Sequence, residues 1–148
     1  MLCIPNTNIW IGNASDLRDI PSVLNSGVAA IIDLAAEEPF PTIPRATSYC
    51  RFALTDDGEN NAAYIQAAIL AASTFVSVGL AIAICCSAGL SRSPSVAAAT
   101  MSFISGDSLV ASLELVSAVK HIDVSPAFWN QVVGVFSNMD AGTLYDAS

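Results

Sequence analysis

The chain predicts an α/β fold, a small and largely parallel central sheet flanked by helices. Three observations carry the prediction. Two short runs, 28–34 and 80–85, are apolar at nearly every position, as strands buried on both faces of a parallel sheet are. Segments of helical periodicity alternate with strand-like ones, the order of β–α units. A Ser/Gly-rich stretch then joins the second apolar run to another helix, and such sheets place their sites at the carboxyl ends of the strands.

The elements follow in order. Residues 8–11 read as a short strand. Ser15 and Asp16 are placed to cap a helix running to about Asn25, with Gly27 as its stop. The strand 28–34 follows. Pro39, Pro41 and Pro44 make 37–47 a loop. Residues 49–54 form a third strand, and 55–61 a polar loop. No charged residue occurs between Glu59 and Arg92, which a hydropathy scan would flag as a membrane span. The pattern divides the stretch in two. Ile65, Ala68, Ile69, Ala72 and Val76 make one apolar stripe, and Gln66, Ser73 and Ser77 a polar one, so the first part is an amphipathic helix ended by Gly79. The strand 80–85 is the second part. Helices are expected at about 93–105, 107–120 and 126–137.

Composition bounds the function. With 148 residues, no repeat and no composition break, the chain is expected to be a single domain over 1–148. It is 53% hydrophobic and 12% charged, which excludes intrinsic disorder. A net charge of −8 with five Lys/Arg argues against a nucleic-acid binder that neutralises phosphates, and against a polybasic membrane-surface protein. Cys3, Cys50, Cys85 and Cys86 include no Cys-x-x-Cys pair, and His121 is remote from them, so no metal or cofactor is implied. The N-terminal residues lack a basic segment followed by an apolar run. Free thiols without a secretory signal lead to the expectation of a reducing cytoplasm. His121 reads as a surface residue, Glu37 and Glu38 as a solvated loop, and Cys3 and Cys50 as core cysteines. Arg45 is a weak candidate for contacting a substrate phosphate.

The informative segment is Cys86-Ser87-Ala88-Gly89-Leu90-Ser91-Arg92-Ser93-Pro94. Backbone N–H groups between a strand and a helix N-terminus converge into an anion-binding nest, and the helix dipole adds positive potential. Ser87, Ala88, Gly89, Leu90, Ser91 and Arg92 are the candidate phosphate binders. A cysteine at the rim of such a nest is favoured as the thiolate. Arg92 offers a planar fork for two phosphate oxygens. A thiolate, an anion nest and an arginine together describe attack on phosphorus through a phosphocysteine.

This segment resembles the Cys-x5-Arg-Ser signature of the protein tyrosine phosphatase superfamily, and its wording is most similar to the dual-specificity phosphatases. The resemblance extends from about Ile4 to Phe136. Trp10-Ile11-Gly12-Asn13 looks like the family's opening strand and turn, and Gly27 with the following strand like the next βα unit. Residues 95–101 resemble the helix after the phosphate loop and 106–119 the one beyond it. Phe128-Trp129-Asn130-Gln131 matches the terminal Phe-x-x-Gln, with Ala127 in place of the usual Asn.

The resemblance implies a protein tyrosine phosphatase-like fold. It also implies hydrolysis of a phosphorylated protein side chain or a small phosphoester, with Cys86 as nucleophile. The family's general acid lies about thirty residues earlier, often as Asp-x4-Asn before a helix. Asp56 with Asn61 fits, and Asp57 is the alternative acid. Ser93 is implied to hydrogen-bond the departing thiolate. The loop carries no lysine, unlike members acting on inositol phospholipids. One departure stands out, because Cys85 occupies the place of the family's His. That favours, as an alternative, a phosphatase-like binding module with weak or no catalysis. The adjacent cysteines also raise redox trapping of Cys86 by Cys85, against the simpler role of Cys85 as a small core residue.

Overall fold

A computed structural model describes residues 1–139 of the chain; residues 140–148 of the expected domain lie outside the described part. Its five strands are β1 (Leu2–Cys3), β2 (Ile9–Asn13), β3 (Ala30–Ala35), β4 (Ser48–Leu54) and β5 (Ile82–Cys86). Its five α-helices are α1 (Ile20–Asn25), α2 (Ala62–Ser77), α3 (Arg92–Ser105), α4 (Leu109–Val119) and α5 (Pro126–Ser137). The sheet order is β1-β2-β5-β3-β4, with β5 at the centre. All neighbours run parallel except β1, which pairs antiparallel with β2. The expected α/β architecture is therefore present, with one strand, β1, that the two-residue Leu2–Cys3 pattern was too short to signal.

Side-chain alternation along β5 divides the core. Ile82, Ile84 and Cys86 face one apolar cluster, and Ala83 and Cys85 the other. The first cluster lies under α2, α3, α4 and α5, with Phe128, Ile65, Ile69 and Val96 fully buried in it. The second is smaller and is covered by Leu17, Ile20 and Val23 from α1 and the turn before it. Helix α3 is buried at every residue from Arg92 to Thr100. Its Ala97-Ala98-Ala99 run lets α2, α4 and the sheet close around it, and a helix buried all round has no polar face.

Three expectations need correction. The single helix over 15–25 is instead a 3-10 turn, Asp16–Arg18, followed by α1. Ser15 makes no capping bond, whereas the Asp19 side chain accepts from Ser22 N and Pro21 sits in the first turn. Asp16 is diverted, because its Oδ2 accepts the Asn13 N–H at 2.8 Å. Ser73, placed on the polar stripe of α2, is fully buried with an unpartnered hydroxyl, since the buried arc extends one residue further round. The strand before the signature runs to Cys86 and begins at Ile82, two residues later than the apolar run begins. The charge-free stretch folds as α2 and β5, and among the described residues no helix is long and apolar enough to cross a membrane.

Phe128 is the largest side chain with no exposure, packed between α5 and the sheet. Phe128→Ala is expected to cost about 3–5 kcal/mol, read as a fall in denaturation midpoint without change in denaturant slope.

Candidate active site

Cys86 ends β5, and the loop 87–91 carries the chain from the middle of the sheet into α3. The loop curls over the cysteine, whose sulfur accepts the Gly89 N–H at 3.2 Å. Gly89 is required twice over: its φ is +71°, and a Cβ there would lie 2.8 Å from the Gly12 carbonyl oxygen. The loop is further tied down by Ala14 N–H to Ser87 O at 3.1 Å and Asp123 N–H to Leu90 O at 2.9 Å. Cys86 is 2% exposed and Arg92 is 7% exposed.

Arg92 opens α3 and its guanidinium is held on one edge. Nη1 donates to Glu37 Oε2 and to the Leu54 carbonyl, each at 2.8 Å, and Nη2 donates to Glu37 Oε1. Of the five N–H donors of a guanidinium, this leaves Nε–H and the second Nη2–H. Those two share the other edge and form a fork that can take two oxygens of one phosphoryl group. Burial works against the charge on Arg92, but the Glu37 hydrogen bond, Cys86 and Asp56 outweigh it and hold the arginine firmly protonated. Glu37 also accepts the Ser87 hydroxyl. The Arg92 bond, more than the Ser87 bond, pulls its carboxyl down from 4.5 to about 2 against the penalty of burial. Glu37 is an exposed loop residue, as expected from the sequence, but its carboxylate is engaged by Arg92 and Ser87. Nothing local marks it, because its partner lies 55 positions away.

The two candidate acids part company. Asp56 Oδ1 accepts the Ser91 hydroxyl at 2.6 Å, which sets this carboxyl against the loop 87–91. Asp57 turns back into its own loop, accepting from Thr55 Oγ1 at 2.7 Å and from Glu59 N at 2.9 Å. These bonds lower the pKa of Asp57, and they occupy it as a turn residue. The acid loop is pinned at its base. Asn60 bonds Thr55 N at 2.7 Å and Thr55 O at 2.8 Å, and its Nδ2 donates to Gln131 Oε1 at 3.0 Å. Gln131 returns a bond to Asn60 O, so the terminal Phe-x-x-Gln serves to hold this loop. Asn61, read as part of the acid motif, caps α2 by accepting from Ala63 N at 3.0 Å. Ser125 closes the ring, donating its hydroxyl to Asp56 O at 2.7 Å and its N–H to Ser91 Oγ at 2.9 Å. Gly58, at φ +80°, fits against α5 only without a Cβ, which would meet Ala127 O at 2.8 Å.

Ser93 is fully buried one residue beyond Arg92, and its hydroxyl has no partner. A buried unpaired hydroxyl costs free energy, and this one is available to a changing partner. Cys85 lies on the opposite face of the sheet from Cys86, fully buried among Leu17, Ile20 and Ile31. Burial, with Asp33 and Asp16 nearby, pushes its thiol far up, so it stays protonated. Cys50 is partly buried and its thiol is likewise raised by burial. His121 and Arg45 are exposed, as surface residues. Among the described residues no group of three His, Cys, Asp or Glu side chains is placed to hold a metal.

The architecture is that of the protein tyrosine phosphatase-like α/β domains. No family model and no curated protein matches the chain, but solved structures do. Human DUSP28 matches with a TM-score of 0.79 at 22% identity, covering 88% of this chain and 92% of that one. A mouse putative dual specificity phosphatase complexed with zinc tungstate matches at 0.79 and 21%, covering 93% and 87%. The human tyrosine phosphatase-like serine/threonine/tyrosine-interacting protein matches at 0.76 and 17%, covering 88% and 91%. At these identities the likeness concerns the fold, and the chain has the fold of the dual-specificity phosphatases.

The lowered Glu37 pKa makes a pH prediction. The pair with Arg92 contributes stability fully above the unfolded value near 4.5, and the contribution is lost as pH falls toward about 2. Wild type is expected to melt above Glu37→Gln at pH 6, with the gap closing as the pH is lowered through that window. Cys85 is expected to resist iodoacetamide in the native protein at pH 8 and to label once unfolded, as mass spectrometry of digests would show.

Proposed function

We propose that this protein is a phosphatase of the dual-specificity type, hydrolysing phosphomonoesters through a phosphocysteine on Cys86. The observation that carries the proposal is the Ser91–Asp56 contact of 2.6 Å. It brings a carboxyl from one loop onto the rim of an anion nest that already holds a cysteine and the free edge of Arg92. The fold likeness supports the same activity, and the substrate is a phosphorylated protein side chain or a small phosphoester.

The steps follow from the geometry. A phosphoryl group enters the nest, with two of its oxygens on the Arg92 Nε and Nη2 hydrogens and all three within reach of backbone N–H groups of 87–92. The Cys86 thiolate attacks phosphorus, forming S–P as the ester P–O bond breaks. Asp56 delivers its proton to the leaving oxygen. Oδ1 is already held by Ser91, which leaves Oδ2 for this transfer. The resulting carboxylate then takes a proton from water, and that oxygen attacks phosphorus as S–P breaks. The departing thiolate recovers stabilisation from the Gly89 N–H and from the Ser93 hydroxyl, which has no other partner.

A second reading, a phosphatase-like module that binds phosphorylated partners with little turnover, is favoured by Cys85 where the family has His. That thiol cannot support the loop electrostatically, being buried on the far face of the sheet.

The deciding measurement is hydrolysis of para-nitrophenyl phosphate under reducing conditions at pH 5–8. Wild type is expected to turn over and Cys86→Ser to be inactive. A folded wild type that binds phosphopeptide without turnover would establish the module instead, and equal activity in both proteins would remove Cys86 as nucleophile. With phenyl phosphate, whose leaving group needs the proton, Asp56→Asn is expected to lower kcat by about 10²–10⁴, and Asp57→Asn to change it little. Glu37→Gln releases Arg92 and is expected to lower kcat/KM about tenfold, the scale of one hydrogen bond to a charged group.

A further inference from the structure

An open cleft of about 760 Å³ lies beside the phosphate loop, with Cys86 among its lining residues. One wall is Leu17, Ile20 and Leu24, from the turn before α1 and from α1 itself. The other is Phe40, Ile43 and Pro44, from the loop between β3 and β4. Its volume is in the range of pockets that enclose drug-sized ligands, which are mostly apolar and largely preformed. A phosphoryl group on a short polar side chain would leave it empty.

The loop wall is braced before any ligand arrives. Arg51 donates to Ala35 O and Glu38 O, and its guanidinium lies 4.7 Å from the centre of the Phe40 ring. The Phe40 ring sits 5.8 Å from that of Tyr49, and Pro39, Pro41 and Pro44 restrict the backbone. Phe40 is nevertheless 73% exposed, a large aromatic face held in place with one side uncovered. Bracing of this kind reduces the ordering cost of binding.

The charges define the occupant. Asp33, on the floor, has both oxygens engaged, Oδ1 by Ala35 N–H at 3.2 Å and Oδ2 by the Tyr49 hydroxyl. Glu38 faces Arg18 at 3.9 Å, and Arg18 is the one cation among the lining residues. There is no cluster of donors for a second phosphate. The same loop also carries Glu37, which holds Arg92, so the cleft wall and the phosphate fork are parts of one segment.

We propose that this cleft is a specificity subsite for a bulky, uncharged, apolar group of the substrate, larger than one phenyl ring. The inference rests on the phosphatase reading above and adds the chemistry of the organic part. Phe40 and Ile43 are its specificity-determining residues.

The test compares kcat/KM for biphenyl-4-yl phosphate and phenyl phosphate, esters of two phenols of similar acidity. Wild type is expected to favour the larger ester by about tenfold, and Phe40→Ala and Ile43→Ser to bring that ratio toward one. A ratio read within one preparation is independent of how much of a variant folds. A ratio near one in wild type, or one unchanged in both variants, overturns the subsite. If wild type hydrolyses neither ester, the phosphatase reading fails and calorimetry decides the subsite separately. Biphenyl-4-ylphosphonate binding about fivefold or more tighter than phenylphosphonate sustains it, and equal or absent binding overturns it. With n-octylphosphonate as a third probe, binding as tight as the biphenyl compound sustains the subsite as one for lipid-like chains. Weaker binding sustains it as one for aromatic esters.

Discussion

The site depends on a buried cation in an unfavourable place. Arg92 is 7% exposed at the N-terminus of α3, where the helix dipole is itself positive. A charge so placed persists only if it is paired and hydrogen-bonded. Its partners come from two other segments: the Leu54 carbonyl at the end of β4, and Glu37 at the start of the β3–β4 loop. The Asp56 carboxyl lies near it on the next loop. The excess of positive potential that draws in these carboxyls is the same one that would draw in a phosphoryl group. The Glu37 carboxylate and the Leu54 carbonyl thus occupy the outer edge of the guanidinium and leave the inner edge to an anion from outside.

Around that centre, the connecting loops are joined to one another by hydrogen bonds. Ser91 accepts from Ser125 and donates to Asp56, and Ser125 donates in turn to the Asp56 carbonyl. Gln131 holds Asn60 and so fixes the far end of the acid loop. Three loops distant in sequence thereby share one hydrogen-bond network, and the position of Asp56 relative to the loop 87–91 is set by the start of α5 as much as by its own loop. The small side chains of α3 allow this approach, since larger ones would hold α2 and α5 away from the sheet end.

The strand period of two separates the chemistry of two neighbouring thiols. Cys86 points to the helix-rich face and reaches the nest, and Cys85 points to the α1 face and is sealed in apolar contacts. A disulfide between them would require the end of β5 to leave its pairing with β2 and β3. Cys85 is thus a core residue, packed closely enough against Gly12 that a Cβ there would lie 2.8 Å from its sulfur.

The sequence by itself determined the strand–loop–helix unit around Cys86 and Arg92, because that unit is contiguous and its residue types are dictated by local backbone needs. It also determined the alternation of the main strands and helices and the division of the charge-free stretch, through periodicity and the Gly79 stop, but not β1 or the 3-10 turn before α1. It left Asp56 and Asp57 open, since both occupy the same polar loop and differ only in what they face. Tertiary structure separates what they face, since Asp56 accepts from Ser91, a residue 35 positions away, and Asp57 bonds within its own loop. It also decided the contacts of Glu37, whose partner follows β5, 55 positions away, and of Gln131, 71 positions from Asn60. Hydrogen bonds across such separations leave no local pattern, and exist only because a parallel sheet gathers the carboxyl ends of its strands at one edge.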